Sequence, residues 1–347
     1  MFSIYSRRYT GAKTKLLKEI DKVLLEHFDY TKQSNLSFFD VFAGTGAVSA
    51  FFMQKSQFNH FLLNDFLESN FIIYQGFFAQ KRFSQSKLLG LQKYFQSLEP
   101  QTLKQNYYSQ AFGGKFFSLN DSKYIGFVRE ELDKLVKQRK INTKEFHILL
   151  SSLLYSADRV ANTCGHYDAY RKNVSLGDRF SFELILPLKT QAKIELFKTD
   201  SNALVKAFIK QKRKLDVAFI DPPYNSRQYS RFYHLLETLT QNHKPKLYGV
   251  ALKPKPENLS EYCKSNAKNA FKDLIKSLAL ITKFLVVTYN NTYGANTRSN
   301  ARINDEEIVQ ILKEYGKVCV YEFDYKAFSS GKSELKNHKE RIFICQI

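Results

Sequence analysis

The sequence predicts an α/β chain with a doubly wound, mostly parallel sheet of seven strands, interrupted by a long, mainly helical insertion. Three observations carry this. Short apolar runs recur at 36–39, 60–66, 192–200, 215–221, 282–290, 317–325 and 340–347, the pattern of strands buried on both faces. Helix-length spacers separate most of them, as crossovers between parallel strands require. At the first run, "LSFFDVFAGTGAVSAFF" (36–52) passes from strand through glycine turn to helix, the order of a nucleotide-binding unit.

The elements follow in order. Between Thr10 and Phe28 the apolar residues Leu16, Leu17, Ile20, Val23, Leu24 and Phe28 keep helical spacing, so one face packs on a core. "HFLLNDF" (60–66) is a short strand whose acidic end, Asp65, falls about 20 residues after the glycine turn, where folds of this kind place a ribose-binding carboxylate. From 67 to 189 the pattern turns helical, as in "YIGFVREELDKLVKQRK" (124–140) and "KEFHILLSSLLYSADRVAN" (144–162). The expected division is therefore a sheet-bearing domain of residues 1–66 and 190–347, with 67–189 inserted. The last two strands are joined by too short a spacer for a crossover helix and are expected to form an antiparallel pair at the sheet edge.

The chain of 347 residues carries 53 Lys and Arg against 33 Asp and Glu, a net charge of +20. Such an excess points to a polyanionic partner, nucleic acid before anionic membrane. Basic clusters lie at 80–87, 137–140, 210–214 and 243–256, the last reading "HKPKLYGVALKPKP". The four cysteines, Cys164, Cys263, Cys319 and Cys345, are scattered and suggest neither a zinc site nor a disulfide framework. With no apolar run near the roughly 18 residues of a membrane span, a cytoplasmic protein is expected.

Two motifs carry chemistry. Gly44 and Gly46 in "DVFAGTG" let backbone approach a ligand, but position 49 is Ser, so the dinucleotide fingerprint is incomplete, and no P-loop lysine follows. A nucleoside without a pyrophosphate, such as S-adenosylmethionine, suits this loop better than ATP. "DPPY" (221–224) closes the apolar run 215–220; Asp-Pro-Pro followed by Tyr or Phe arises by chance in on the order of one such chain in a thousand. Two prolines end a strand rigidly at its carboxyl edge, where open α/β sheets keep their ligands. What they fix is an acceptor pair, the Asp221 carboxylate and the Pro222 carbonyl, suited to drawing aside the hydrogens of an amino group conjugated to a ring. Tyr224 offers a face to the ring.

Together, "RRYTGAKTKLL" (7–17), "DVFAGTGAVSAFF" (40–52), "NDF" (64–66), "DPPYNSRQY" (221–229) and "VVTYNN" (286–291) resemble, in this order, the adenine-specific DNA methyltransferases of the D12 class, in their α-group arrangement. The resemblance implies a Rossmann-like methyltransferase fold, S-adenosylmethionine as methyl donor and N6 of a flipped adenine as acceptor, within a restriction–modification system and beside a cognate endonuclease. Because the methyl group arrives already activated, neither a metal nor a covalent intermediate is called for. Residue by residue, it implies cofactor contacts for Tyr9, Lys13, Phe42, Gly44, Gly46, Asp65, Asp200 and Asp221, with Lys13 on the donor's carboxylate and Asp65 on its ribose. Asp221 and Pro222 would orient the target amino group, and Tyr224 would stack on the flipped base. The family often has Trp where Tyr9 stands.

DNA contacts are expected from two places: the polar residues after the motif, among them Asn225, Arg227 and Arg231, and the segment "DRVANTCGHYDAYRK" (158–172) of the insertion, through Asn162, His166, Tyr167 and Arg171. Three alternatives remain at this stage: an RNA adenine methyltransferase, a cytosine-N4 methyltransferase, or a DNA-binding protein that keeps the fold without catalysis.

Overall fold

A computed structural model describes residues 4–163, 165–290, 293, 301–324 and 339–347. Cys164 and the end of "VVTYNN" at Asn291 lie outside the described residues, as does most of the spacer between the last two strands. The chain forms two compact units, one of Gly11–Phe66, Thr190–Tyr229 and Asn258–Ile347, the other of Met1–Thr10, Leu67–Lys189 and Ser230–Glu257. The helical unit thus takes in residues 1–10 and 230–257 as well as 67–189.

In the first unit, helices α1 (Leu17–His27) and α2 (Ala47–Phe52) alternate with strands β1 (Leu36–Asp40) and β2 (Phe58–Asp65). The second unit holds α3 (Glu68–Phe77), α4 (Gln85–Gln96), α5 (Tyr107–Phe112), α6 (Leu119–Lys137) and α7 (Thr143–Val160). The chain then returns to the first unit for β3 (Lys193–Lys198), α8 (Ser201–Lys210) and β4 (Leu215–Ile220). A single turn, α9 (Tyr229–Phe232), spans the point where the sequence passes to the helical unit and its α10 (His234–Gln241). Last come α11 (Ala267–Ala279), β5 (Thr282–Asn290), α12 (Asp305–Lys313), β6 (Lys317–Asp324) and β7 (Lys339–Gln346), all in the first unit.

The seven strands order as β3-β2-β1-β4-β5-β7-β6. The first five are parallel, and β7 runs antiparallel between β5 and β6. The expected antiparallel pair at the edge is present, with β7 on its inner side. Order reverses between β1 and β4, so the switch point of the sheet lies at their carboxyl ends, where Asp40 and Asp221 emerge.

Strand residues of successive parity serve opposite layers. Phe39, Leu62, Ala218 and Leu285 are buried with α8, α11 and α12 through Val205, Phe208, Phe271, Leu274 and Leu312. Phe38 stacks on Phe52 of α2 at 4.5 Å, and Phe28, after α1, stacks on Phe284 at 4.6 Å. Being covered on both sides, β1 and β4 are largely apolar and buried almost throughout, with Ser37 of β1 hydrogen-bonded to Asp216 of β4. In the helical unit, α6 and α7 begin with side-chain caps from Ser118 and Asn142, the latter a full capping box with Glu145. Among the described residues, no helix is long and apolar enough to cross a membrane.

Candidate active site

Asp221 leaves β4 at the switch point, and its carboxylate is held from two directions. Lys13 Nζ lies 2.9 Å from Oδ1, and the Thr288 hydroxyl of β5 donates to the same oxygen at 2.9 Å. Lys13 is 3% exposed; its ammonium also donates to the Gly11 carbonyl at 3.0 Å and to the Tyr224 hydroxyl at 2.9 Å. A lysine has three N–H donors, and these three contacts use them all. Burial works against the Lys13 charge, but the Asp221 carboxylate, aided by that of Glu340, outweighs it and holds the pKa above the ordinary lysine value. Burial lifts the Asp221 carboxyl above the usual aspartate range, while Lys13 and the Thr288 hydroxyl restrain that lift.

Tyr224 is mostly covered, 7% exposed, with its ring edge-on to Tyr289 at 5.4 Å and its carbonyl accepting from Arg302 N–H at 2.8 Å. Gly11 has φ +83°, and a Cβ there would stand 3.0 Å from the Tyr224 hydroxyl. Glycine at this position therefore serves both the left-handed backbone and the close approach of Lys13 to the motif.

The glycine loop leads from β1 to α2 with Gly44 at φ 52° and Gly46 at φ 76°, the latter at the N-cap. Asp65, at the end of β2, accepts from Gly44 N–H at 2.8 Å and so ties the loop to the next strand. Phe42 meets the Tyr262 ring edge-on at 5.0 Å, and the Tyr262 hydroxyl donates to Asn202 at 2.7 Å. Asp200 is exposed and caps α8 through Ala203 N–H at 3.0 Å.

Asp40 is the unexpected member of this region. It is 1% exposed; Oδ2 accepts from Ser49 at 2.7 Å, and Oδ1 has no partner among the described residues. Burial, relieved in part by Ser49 and reinforced by the Asp221 and Asp65 charges, raises its pKa to about 7. A carboxyl whose folded pKa exceeds its unfolded value gives stability that is full below the unfolded pKa and is lost as pH rises through the folded one. Relative to Asp40→Asn, the native protein should therefore lose stability between about pH 4 and about pH 7, by a few kcal/mol in all. Thermal melts of both proteins across that range check it.

The geometry so far is that of a parallel-sheet switch point bearing a glycine loop and a rigid Asp-Pro-Pro-Tyr turn. The profile of the D12 class N6 adenine-specific DNA methyltransferases matches residues 9–293. The chain belongs to this family. Among curated proteins of the kind, it is 30% identical to the modification methylase StsI of Streptococcus sanguinis, over 98% of this chain and 52% of that one. It is likewise 30% identical to the type II methyltransferase M.FokI of Planomicrobium okeanokoites, over 98% and 52%. With the type II methyltransferase M.NlaIII of Neisseria lactamica it shares 26% identity over 95% of both chains. The chain thus spans about half the length of the first two relatives and nearly all of the third.

The remaining residues expected from the family resemblance have the following surroundings. Tyr9 belongs to the helical unit, stacked on Tyr233 at 4.6 Å with its hydroxyl accepting from Asn70 at 3.3 Å. Two residues of the expected DNA-contacting set are buried within their own unit. Asn162 is buried and spends its amide on the carbonyls of Lys115 and Arg171, at 2.8 and 2.9 Å, and Tyr167 is fully buried with its hydroxyl on Asp158 at 2.8 Å. These hydrogen bonds fold the 158–172 segment onto its own unit. Arg8 completes this by donating to the carbonyls of Asp158, Ala161 and Thr163. His166 stacks on Phe232 at 4.7 Å, and Arg171 is exposed. Asn225 closes an Asx turn on Arg227 N–H at 2.9 Å, and Arg231 donates to the Pro254 carbonyl.

Sequence reasoning named neither Thr288 nor Asp40 as site residues, although both stand inside quoted motifs. The signal was polarity at the carboxyl end of a strand beside the switch point. Glu340 gave none, since its place depends on the antiparallel pairing of β7 with Asn290 of β5.

Proposed function

We propose that this chain methylates the exocyclic N6 of adenine in duplex DNA, with S-adenosylmethionine as donor and a cognate endonuclease as functional counterpart in the cytoplasm. The observation that carries the reading is the asymmetry of the Asp221 carboxylate. Oδ1 is committed to Lys13 and Thr288, and no described residue takes Oδ2. A carboxylate so held has one oxygen to offer, on a turn whose prolines also fix the Pro222 carbonyl. Two such acceptors match the two hydrogens of an aromatic amino group and turn its lone pair out of conjugation. Membership of the family supports adenine as the base that bears it, and Tyr224 supplies the surface beside it.

The residues present fit the donor. Gly44 and Gly46 keep side chains out of the loop, Asp65 holds the loop by its carboxylate, Phe42 adds an aromatic ring, and Lys13 and Asp221 stand paired at the motif; Asp200 and Tyr9 join them on the resemblance alone. When bound, S-adenosylmethionine supplies a methyl group on a cationic sulfonium. In a chain of net charge +20, the carboxylates of Asp221 and Glu340 act on Lys13 and those of Asp65 and Asp221 on Asp40, an acidic grouping that suits a cation. We assign the catalytic part to residues 1–66 and 190–347, and target recognition to 67–189 together with Arg227, Arg231, His166 and Arg171.

Parallel incubations of methyl-labelled S-adenosylmethionine with mixed-sequence duplex DNA and with RNA, each followed by nucleoside analysis, test the reading. Label is expected in N6-methyladenine; label in N4-methylcytosine, or in RNA alone, would contradict it. The orienting part of the mechanism has its own check. Thr288→Val keeps the shape of a fully buried side chain but removes its donor, and should lower kcat about tenfold with little change in KM. Thr288→Ser should restore most of the rate, a rescue that packing alone would not give.

A further inference from the structure

The basic segment 243–256 has no part in the site above, and it has a definite shape. Tyr248 and Lys253 exchange backbone hydrogen bonds, at 2.8 and 2.9 Å, around a tip of Gly249, Val250, Ala251 and Leu252, closed by Leu252 N–H on the Gly249 carbonyl at 3.2 Å. Gly249 and Leu252 take left-handed φ of 68° and 55°, which makes the reversal tight. The base of this hairpin is pinned within its own unit on both arms. The Tyr107 hydroxyl donates to the Pro245 carbonyl at 2.6 Å, and Lys244 pairs with Glu130 at 2.7 Å. On the returning arm, Lys253 pairs with Asp168 and Arg231 donates to the Pro254 carbonyl.

A pinned base with a bare tip is unusual. Val250 is 69% exposed, more than any other large apolar residue described, and Tyr248 beside it is 46% exposed. Between His243 and Pro256 there is no acidic residue, and Lys246 and Lys255 are exposed with no acidic partner among the described residues. Lys246 lies 5.8 Å from the centre of the Tyr248 ring, which places its charge at the edge of the apolar tip. An apolar point ringed by cations is poorly served by water and by most protein surfaces. It is complementary to duplex DNA, whose phosphates flank apolar base steps that a small wedge can part. Because the base is already ordered, little conformational freedom remains to be lost on insertion.

We propose that the 244–255 hairpin is a DNA-engaging wedge: Lys246 and Lys255 sit on phosphates while Val250, backed by Tyr248, enters a base step. This rests on the methylation reading for the identity of the polyanion and adds a contact that the catalytic site does not supply.

The test uses the full chain, plasmid DNA and two surface variants, Val250→Ser and the double Lys246→Ala/Lys255→Ala. The tip is exposed, so both should melt as the native protein does. Native protein should unwind relaxed plasmid, seen as a shift in linking number after topoisomerase treatment. Val250→Ser should lose most of that shift and weaken DNA binding about three- to tenfold with an unchanged salt slope. The double lysine variant should instead reduce the slope of log K against log salt by about 2. Unchanged unwinding and binding in both variants would overturn the proposal. So would a defect confined to vesicles containing anionic lipid, which would mark the hairpin as a membrane contact. Failure of the methylation reading would show separately, as native protein that binds and unwinds DNA yet leaves no N6-methyladenine.

Discussion

Asp221→Ala is expected to lower methyl transfer by about 10³-fold, because on the proposed mechanism it removes one of the two oriented acceptors for the amino group and leaves only the Pro222 carbonyl. The effect on the fold should also be large. Lys13 is 3% exposed, and its ammonium would keep only the Gly11 carbonyl and the Tyr224 hydroxyl. Removing one partner of a buried pair costs about 3–5 kcal/mol, so the melting temperature should fall too. Asp221→Asn separates the two effects. It keeps an acceptor for Lys13 and Thr288 but places an amide where the second acceptor stood, so stability should largely recover while the rate does not. Single-turnover transfer from labelled donor, run beside thermal melts, distinguishes these outcomes; an active Asp221→Asn protein would remove the carboxylate from the mechanism.

Lys13→Met should give the second large effect, with a distinctive pH signature. The Asp221 carboxyl is already lifted by burial and restrained by Lys13 and Thr288. Without the ammonium its pKa rises further, so the acid limb of the rate profile, where activity falls as Asp221 takes up a proton, should move to higher pH. Stability follows the same logic. A carboxyl with a raised folded pKa favours the fold below its unfolded pKa and loses that contribution as pH rises through the folded value. The penalty of Lys13→Met should therefore be small in acid and grow as Asp221 ionises, toward about 3–5 kcal/mol. Rate and melting profiles of the two proteins between about pH 5 and pH 9 check this, and an unmoved acid limb would show that Lys13 does not govern Asp221.

Much of the sheet was legible in the sequence because its strands are covered on both faces. Continuous apolar runs such as 215–220 and 282–290 mark such strands almost to the residue. The antiparallel edge was legible from the shortness of one spacer. Lys13 and Asp221, 208 positions apart, were each noticed, yet sequence could not show that they touch. Thr288 looks like any strand threonine until β5 is laid beside β4. The 158–172 segment was ambiguous for a physical reason: Asn, His, Tyr and Arg around a glycine have the composition of a base-reading loop and equally that of a loop satisfying its own backbone. Arg8, far upstream, binds three of its carbonyls, a contact that sequence spacing could not show.

The saturation of Lys13 has a thermodynamic consequence. An anion that recruits this ammonium must draw it from Gly11, Tyr224 or Asp221, and two of those belong to the Asp-Pro-Pro-Tyr turn. If Lys13 seats the donor's carboxylate and the turn takes a base, as proposed, their occupancies are linked variables. By reciprocity, whatever free energy the first ligand contributes to releasing Tyr224 or Asp221 returns as tighter holding of that ligand once a base is in place. A single side chain would make the two substrates of the reaction heterotropic effectors of one another.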